Sequence, residues 1–459
     1  MSWTVPVVLY GWLPLVAIAF ATLTPTRAVL VSYFAGWMFL PVTSFQAFGF
    51  FDYSKDTVVP LSVLAGVLVF DSARLVRFRP RALDLPVVLF CAAPFFTSMH
   101  NDLGVYDGLS GAAYHSIAWG LPYLTGRLYF WSQDGVRRLA LAFVAAGLVY
   151  MPLCWYELRM SPQLHALVYG FHQHDWLQTL RGGGYRPMVF MNHGLMAGLW
   201  MAAAALVAFA LWTTGAWKRV WGVRIGIACL ALVVTVVACK SAGAVALLAA
   251  GAAALWSMRA LRTSLPMLLL LLAPPAYVAA RASGAWTGVE LADLAGRWSA
   301  ERAGSLSFRL KAEERLRERA AEQPLFGWGG WNRSAVRRSD DPRSEATVTV
   351  DSLWILVFGK YGAFGLVSLL AIWLAPLVAL WRRAPPRRWA ERTHVWAWTL
   401  ALVLVTYELD NLVNAMSNPV YLLAAGGIAG FALAPARATA AVERAHGTWL
   451  QAVPEASGA

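Results

Sequence analysis

Three polar features of this 459-residue chain have side chains that could bind or transfer a charged group. The first is Leu180–His193, LRGGGYRPMVFMNH, in which Arg181 and Arg186 flank three glycines. Glycines let a backbone approach a ligand closely, and the N–H groups of such a turn can bind an anion. The pattern predicts an anion-binding turn, and a flexible loop with an interfacial arginine is the alternative.

The second feature is Asp351, which follows the letters TVTV and precedes the apolar run SLWILVF. A carboxylate at the mouth of an apolar helix can act as a general base or can pair with an arginine. The sequence leaves both roles open.

The third feature is Pro324–Trp331, PLFGWGGW, a turn rich in glycine and tryptophan that is followed by Arg333. Tryptophans are costly to keep in a loop unless they pack on something. We therefore predict a contact with a sugar or a lipid head group, with Trp328 and Arg333 as the candidate residues.

An amphipathic helix is predicted over Ser305–Gln323, just before this turn. Ser305 can cap the helix, and Glu313 can pair with Arg317 four residues later. Pro324 ends the helix because proline cannot continue it.

Other ionisable side chains lie in or beside apolar runs, where a charge costs about 2.5 to 3.5 kcal/mol and usually faces a cavity or a partner. Lys240 is flanked by apolar runs on both sides, and the following Ser-Ala-Gly predicts a helix break beside a polar cavity. His193 and Arg127 are further candidates, although Arg127 could simply extend to the membrane interface. For His115 an interhelical hydrogen bond is the better explanation.

These residues must be positioned by membrane helices. The chain is 59% hydrophobic and only 14% charged, with a mean hydropathy of +0.53, whereas roughly a quarter of an ordinary soluble domain is charged. Apolar runs of about 20 residues, long enough to cross a bilayer, recur along almost the whole chain. We predict an all-α membrane protein with about 12 or 13 transmembrane helices.

The net charge of +13 could indicate nucleic acid binding, but the basic residues cluster in short loops between apolar runs. That clustering is typical of cytoplasmic loops and explains the charge without a nucleic-acid partner. The loops around Arg74–Arg81 and Arg382–Arg392 should therefore be cytoplasmic. Segments 157–188 and 282–350 then lie outside.

Four regions follow from this orientation. Residues 1–281 form an N-terminal helix bundle with the outer loop 157–188, and residues 282–350 form one large extracytoplasmic loop with short helices. Residues 351–436 form the C-terminal membrane helices, and residues 437–459 a disordered cytoplasmic tail. The four cysteines fit core positions, and we expect no metal and no cofactor.

Several of these segments resemble the superfamily of O-antigen ligases and Wzy-type O-antigen polymerases. The most specific are SLSFR (Ser305–Arg309), PLFGWGGW (Pro324–Trp331), VDSLW (Val350–Trp354) and GKYGAFGL (Gly359–Leu366). Weaker similarity is found in PYLTGR, YRPMVFMNH, KSAG and NLVNAMSNP.

The resemblance implies a GT-C-like, metal-independent glycosyltransferase of the bacterial inner membrane. Such enzymes take a glycan from an undecaprenyl diphosphate carrier and attach it to an acceptor hydroxyl. By position it implies that Arg186 and Arg309 bind the diphosphate. Arg309 and Asp351 are the predicted catalytic residues, with Asp351 either as a base or as a partner that orients Arg309. Arg127, Lys240, His193, Trp328 and Arg333 complete the expected substrate contacts.

The ligases have a histidine where this chain has Asp351, which favours a polymerase of a surface polysaccharide or exopolysaccharide over a ligase. The expected partners are the carrier-linked glycan, membrane lipid, and a chain-length regulator or polysaccharide-export proteins. A flippase of lipid-linked oligosaccharide is the alternative from another class. It would not need a large outer loop, and transporters often contain inverted repeats, which we do not find in the sequence.

Overall fold

The computed structural model describes residues 3–46, 51–297, 299–336 and 351–435. It is 74% helical, and the strands among these residues form only three two-stranded hairpins. Seven of the described helices are long and apolar enough to cross a membrane, namely Thr4–Thr22, Ala82–His100, Gln133–Met160, Gly194–Thr214, Ala242–Ala260, Leu265–Ala282 and Leu353–Arg383. The prediction of a helical membrane protein is confirmed at this level.

The α-helices of the described chain are numbered in order. They are α1 (Thr4–Thr22), α2 (Pro25–Phe39), α3 (Lys55–Phe70), α4 (Ser72–Val76), α5 (Leu85–His100), α6 (Val105–His115), α7 (Leu121–Tyr129), α8 (Gln133–Met160), α9 (Leu164–Tyr169), α10 (Gly194–Thr214), α11 (Ile225–Ala238), α12 (Ala242–Ala260), α13 (Leu265–Ala282), α14 (Val289–Gly296), α15 (Ala300–Ala321), α16 (Leu353–Arg383), α17 (Val395–Asn411) and α18 (Pro419–Leu433).

The predicted 12 or 13 spans exceed the seven that the described helices support by length and composition. Helices α11 and α18 are apolar but shorter, with 14 and 15 residues. At about 1.5 Å per residue such helices reach roughly 21 to 23 Å, less than the hydrocarbon core of about 30 Å. The apolar runs of the sequence extend beyond the ends of these helices, so the length of a run alone does not give the number of spans.

The hairpins are short and antiparallel. They pair β1 (Ser44–Gln46) with β2 (Asp52–Ser54), β3 (Leu180–Arg181) with β4 (Gly184–Tyr185), and β5 (Arg219–Val220) with β6 (Val223–Arg224). In the second hairpin the turn residues Gly182 and Gly183 have φ angles of +50° and +69°. This left-handed geometry at both positions is that of a tight hairpin turn, which glycine adopts without strain.

The outer loop predicted for residues 157–188 begins later, because α8 continues to Met160. The last turn of α8 carries the buried Glu157. The two carboxylate oxygens of Glu157 accept hydrogen bonds from the backbone N–H groups of Leu164, Met188 and Val189 at 2.7 to 3.0 Å. One carboxylate thus fastens both ends of this loop to the bundle.

Helices α7 and α18 cross with their backbones in contact. A methyl group on Gly126 would overlap the carbonyl oxygen of Leu423, and one on Gly426 would overlap that of Tyr123. In a membrane, apolar burial contributes little to the association of helices. Helix packing there usually depends on small residues that let the backbones approach this closely.

The large loop contains one short helix as expected, α14 with 8 residues, and one long helix, α15 with 22 residues, while residues 337–350 lie outside the described residues. Helix α15 begins at Ala300, so Ser305 is inside the helix and does not cap it. Arg317 pairs with Glu314, with 2.7 Å between Nη2 and Oε1, and not with Glu313 as predicted. Glu313 has a buried partner, described below.

Helix α16 is broken at Gly362, which has φ +61° and ψ −160°. The segment Pro324–Trp331 fills the break with backbone hydrogen bonds. Ala363 and Phe364 donate to the carbonyls of Pro324 and Leu325, and Trp328 and Gly329 donate to those of Gly359 and Lys360, all at 2.8 to 3.1 Å. The motif thus supplies partners for peptide groups that leave the helix, as a membrane interior requires.

The other side of the motif docks on α5 and α6. The Thr97 hydroxyl donates to the Phe326 carbonyl at 2.7 Å, and the Asn101 amide donates to the Gly327 carbonyl at 2.8 Å. Trp331 donates from its indole N–H to Asp107 at 2.6 Å. The motif joins three helices of the bundle.

We expect Gly362→Ala to destabilise the protein. Its backbone conformation is essentially restricted to glycine and costs other residues about 1 to 3 kcal/mol, and a methyl group would also overlap the Leu325 carbonyl carbon. Thermal unfolding of the purified protein in detergent measures the effect. The matched control is Gly11→Ala in α1, where a methyl group meets no atom within 4 Å; equal unfolding temperatures for the two variants would contradict the role assigned to the break.

Candidate functional site

The predicted catalytic pair is brought into direct contact. The Nε atom of Arg309, on α15, lies 3.2 Å from Oδ2 of Asp351, just before α16. The Arg309 side chain is 23% exposed and that of Asp351 41% exposed, so both can be reached from solvent. Arg309 also donates from Nη1 to the Asn414 side-chain oxygen at 3.2 Å.

Asn414 belongs to the segment between α17 and α18, and it links Arg309 to a buried carboxyl. Its amide donates to Oδ1 of Asp410 at 2.9 Å. The same Oδ1 lies 3.9 Å from the position that a β carbon on Gly243 would take. The end of α17 therefore faces both Arg309 and the first turn of α12.

Sequence reasoning assigned no role to Asn414. The available signal was the group of asparagines in NLVNAMSNP, directly after a strongly apolar helix. Polar side chains in that position have to find partners inside the protein, and here one of them orients an arginine.

A buried ion pair fixes the helix that carries Arg309. Nε of Arg281, at the end of α13, lies 3.2 Å from Oε2 of Glu313, and each side chain is 1% exposed. Arg281 also donates to the backbone carbonyls of Trp286, Thr287 and Leu310 at 2.7 to 3.1 Å. Burial raises the pKa of Glu313, and the Ser352 hydrogen bond and the Arg281 charge act against that shift.

This ion pair also determines where Asp351 lies. The Ser352 hydroxyl donates to Glu313, and Ser352 is the residue after Asp351. Glu313 follows Arg309 by about one helical turn. The two members of the exposed pair are therefore held by a single buried carboxyl group.

Arg186 lies in the loop between α9 and α10. Its side chain is buried, and Nη2 donates to the backbone carbonyl of Lys240 at 3.1 Å. Lys240 lies in the predicted helix break, which is confirmed between the ends of α11 and α12, with φ +52°.

The Lys240 ammonium group holds the glycine-rich hairpin. It donates to the backbone carbonyls of Arg181 and Gly182 at 3.0 and 3.3 Å. The turn thus binds a cation of the chain itself through its carbonyl oxygens, and the anion expected at its N–H groups stays a prediction. Lys240 acts here as a positioning residue for the loop that carries Arg186.

His193 is a helix cap and not an open ligand. Its Nδ1 accepts the Leu195 N–H at 3.0 Å at the start of α10, and its Nε2 lies 3.0 Å from the side-chain oxygen of Gln178. The accepting Nδ1 requires that Nε2 carries the proton and donates to Gln178.

The charges that act on His193 come from different segments of the chain. Burial, followed by the charges of His174, Arg186, Arg309 and Arg181 in that order, lowers the pKa of His193 to about 3. Arg186, from the loop before α10, and Arg309, from α15, therefore act on the same ring. The ring is neutral at physiological pH.

Arg127 lies elsewhere. It is paired with Asp84, with 2.7 Å between Nε and Oδ1 and both side chains 8% exposed. Its Nη1 lies 3.3 Å from the position of a β carbon on Gly430, near the end of α18, whereas Asn414 precedes the start of that helix. The prediction that Arg127 shares a substrate site with Arg309 is wrong, because about 20 Å of helix separates them.

Trp328 and Arg333 fasten the loop motif and are not grouped with Arg309. The Trp328 indole donates to the Arg319 carbonyl at 2.7 Å, and the Arg319 guanidinium lies 3.4 Å from the centre of its ring. Arg333 donates to the Asn101 carbonyl at 3.3 Å. Among the described residues, no group of three or more His, Cys, Asp or Glu side chains could hold a metal ion.

We expect His193→Asn to preserve the protein and His193→Ala to weaken it by about 1 kcal/mol, because asparagine retains an acceptor for the helix cap. The neutral histidine stabilises the fold fully above pH 6.5 and loses this contribution as pH falls toward about 3. Unfolding measured in detergent between pH 4 and pH 8 tests both points. A steeper loss of stability at low pH in His193→Asn than in the wild type would contradict them.

Comparison with protein-family models and with curated proteins gives no match for this chain.

Proposed function

We propose that this chain is a membrane glycosyltransferase that polymerises undecaprenyl-diphosphate-linked repeat units of a surface polysaccharide or exopolysaccharide. The observation that carries the proposal is the Arg309–Asp351 pair, 3.2 Å apart and partly exposed. Arg186 and Arg309 both lower the pKa of His193, so the two arginines lie near the same ring. The site combines cations suited to a diphosphate with a carboxylate suited to an acceptor hydroxyl.

The arginines suit a leaving diphosphate. A guanidinium has five N–H donors and can bind phosphate oxygens in pairs. Within the described chain the contacts of Arg309 involve Nε and Nη1, so its Nη2 group remains for a ligand. Two arginines aimed at one anion stabilise the charge that develops as the sugar leaves its carrier.

Asp351 is suited to the other half of the reaction. In an inverting displacement the acceptor oxygen attacks the anomeric carbon while the bond from that carbon to the carrier diphosphate breaks. The diphosphate leaves with the electron pair, and the acceptor proton passes to the carboxylate. Arg309 beside Asp351 keeps the carboxylate oriented between the two substrates.

The membrane setting supports a lipid-linked donor. Seven of the described helices are long and apolar enough to span a membrane, and Asp351, which contacts Arg309, lies two residues before the start of one of them, α16. A donor with a polyprenyl tail could place its diphosphate at such a helix end. We further propose a GT-C-like arrangement in the bacterial inner membrane, with residues 282–350 on the extracytoplasmic side and the basic loops on the cytoplasmic side.

Polymerase and ligase activities differ in the acceptor. Purified protein in vesicles would be supplied with undecaprenyl-diphosphate-linked repeat units, and products would be resolved by length. We expect a ladder of lengthening carrier-linked glycan. A single transfer to a lipid A core acceptor would indicate a ligase, and movement of donor across the membrane without any transfer would indicate a flippase.

We expect Arg309→Ala to lower the transfer rate by about 100-fold or more, the usual effect of removing one group that stabilises developing charge. Arg309→Lys should recover only part of the rate because an ammonium group lacks the planar fork of donors. The matched control is Arg315→Ala, an exposed arginine on the same helix. Equal rates in Arg309→Ala and Arg315→Ala would refute the assignment.

We expect Asp351→Asn to lower turnover by about 100-fold or more while donor binding is kept, because an amide retains the shape but cannot take up the proton. Single-turnover transfer and equilibrium binding of the carrier-linked glycan measure the two effects separately. Wild-type turnover in this variant would leave Asp351 only a structural role as partner of Arg309.

A further inference from the structure

A second basic site lies at the other end of α18. A cavity of about 510 Å³ opens between the segment around α4, the end of α7 and the end of α18. Five arginines line it, namely Arg74, Arg77, Arg79, Arg81 and Arg127, and Asp71 is its one acidic residue. It is separate from the Arg309 site.

The arginines of the cavity differ in how they are paired. Arg127 is neutralised by Asp84, and Arg74 is paired with Asp71, with 2.9 Å between Nε and Oδ2. Arg79 donates to the carbonyls of Val76 and Phe78. Within the described residues the guanidinium groups of Arg77 and Arg81 have no hydrogen bond and no ion pair, and both side chains are exposed.

The arginines that are paired with aspartates, Arg74 and Arg127, have restricted positions in the lining of the cavity. The Arg127 guanidinium is held on its Asp84 side by two contacts, 2.7 Å from Nε and 3.2 Å from Nη2. Its position is also limited by Phe78, whose ring centre is 5.4 Å away. A ligand in the cavity would therefore contact the guanidinium groups of Arg77 and Arg81, which are unpaired among the described residues, beside paired arginines whose positions are restricted.

The remaining wall is apolar. Phe78, Leu128, Trp131 and Leu433 line the cavity beside the arginines. Free phosphate would gain nothing from these side chains, whereas a lipid places its head group among cations and its glycerol and acyl chains against such a surface. The volume is within the range of about 300 to 1,000 Å³ typical of ligand sites.

We propose that this cavity binds the phosphate of an anionic membrane phospholipid, with Arg77 and Arg81 as the direct ligands of the phosphate. Clusters of arginine beside membrane helices attract anionic lipid head groups, and each contributes to binding near the surface. The site anchors the segment around α4 to the membrane at the end of the bundle opposite Arg309.

The test compares Arg77→Gln/Arg81→Gln with Arg382→Gln/Arg387→Gln. Both double variants remove two exposed arginines from basic loops, but the second pair does not line the cavity. Full-length protein in detergent would be titrated with phosphatidylglycerol and bound lipid counted by native mass spectrometry. Parallel titrations would use phosphatidylcholine and inorganic phosphate, and thermal unfolding with and without lipid would confirm that each variant is folded.

We expect one phosphatidylglycerol to bind the wild type and the control variant, and the Arg77→Gln/Arg81→Gln variant to bind it at least about fivefold more weakly. The lipid-induced rise in unfolding temperature should be lost in the same variant. Equal weakening in the control would overturn the proposal in favour of general charge attraction. Displacement of the lipid by equimolar inorganic phosphate, or equal binding of phosphatidylcholine, would overturn it as well.

Discussion

In a medium that excludes water, a peptide group that leaves a helix has to find another hydrogen-bond partner inside the protein. Helix α16 leaves its regular path at Gly362, and the chain between α11 and α12 does so at Lys240. The first break is filled by the backbone of Pro324–Trp331. At the second, the Lys240 carbonyl accepts from Arg186. Each break and the segment that supplies its hydrogen-bond partner thus form one structural unit.

This constraint explains why the candidate site forms where it does. A loop that must supply hydrogen bonds to a broken helix is held in one place, so its other side chains are positioned without further support. Arg186 is on such a loop, and Arg309 is on α15, the helix that leads into Pro324–Trp331. The buried Arg281–Glu313 pair adds a second restraint, since breaking a buried ion pair by removing one partner costs about 3 to 5 kcal/mol. Glu313 in turn accepts from Ser352, beside Asp351.

The two basic regions of the protein are built on different principles. Near His193, Arg309 is paired with the half-exposed Asp351, and the buried Arg186 is held by the Lys240 carbonyl. In the cavity at the far end of α18, Arg127 and Arg74 are paired with aspartates, and Arg77 and Arg81 have no ion pair among the described residues.

The sequence by itself determined the helical membrane class and the break at Lys240, because apolar run length and local helix breakers are properties of neighbouring residues. It offered Arg309 as a candidate through the motif resemblance and Asp351 through its place before an apolar run. Only the tertiary structure decided that Glu313 pairs with Arg281 and that Arg127 belongs to another site. It also decided that Trp328 packs on Arg319 within the chain. These outcomes depend on which elements pack together across the bundle, and a charged or aromatic side chain takes whichever partner that packing brings within reach.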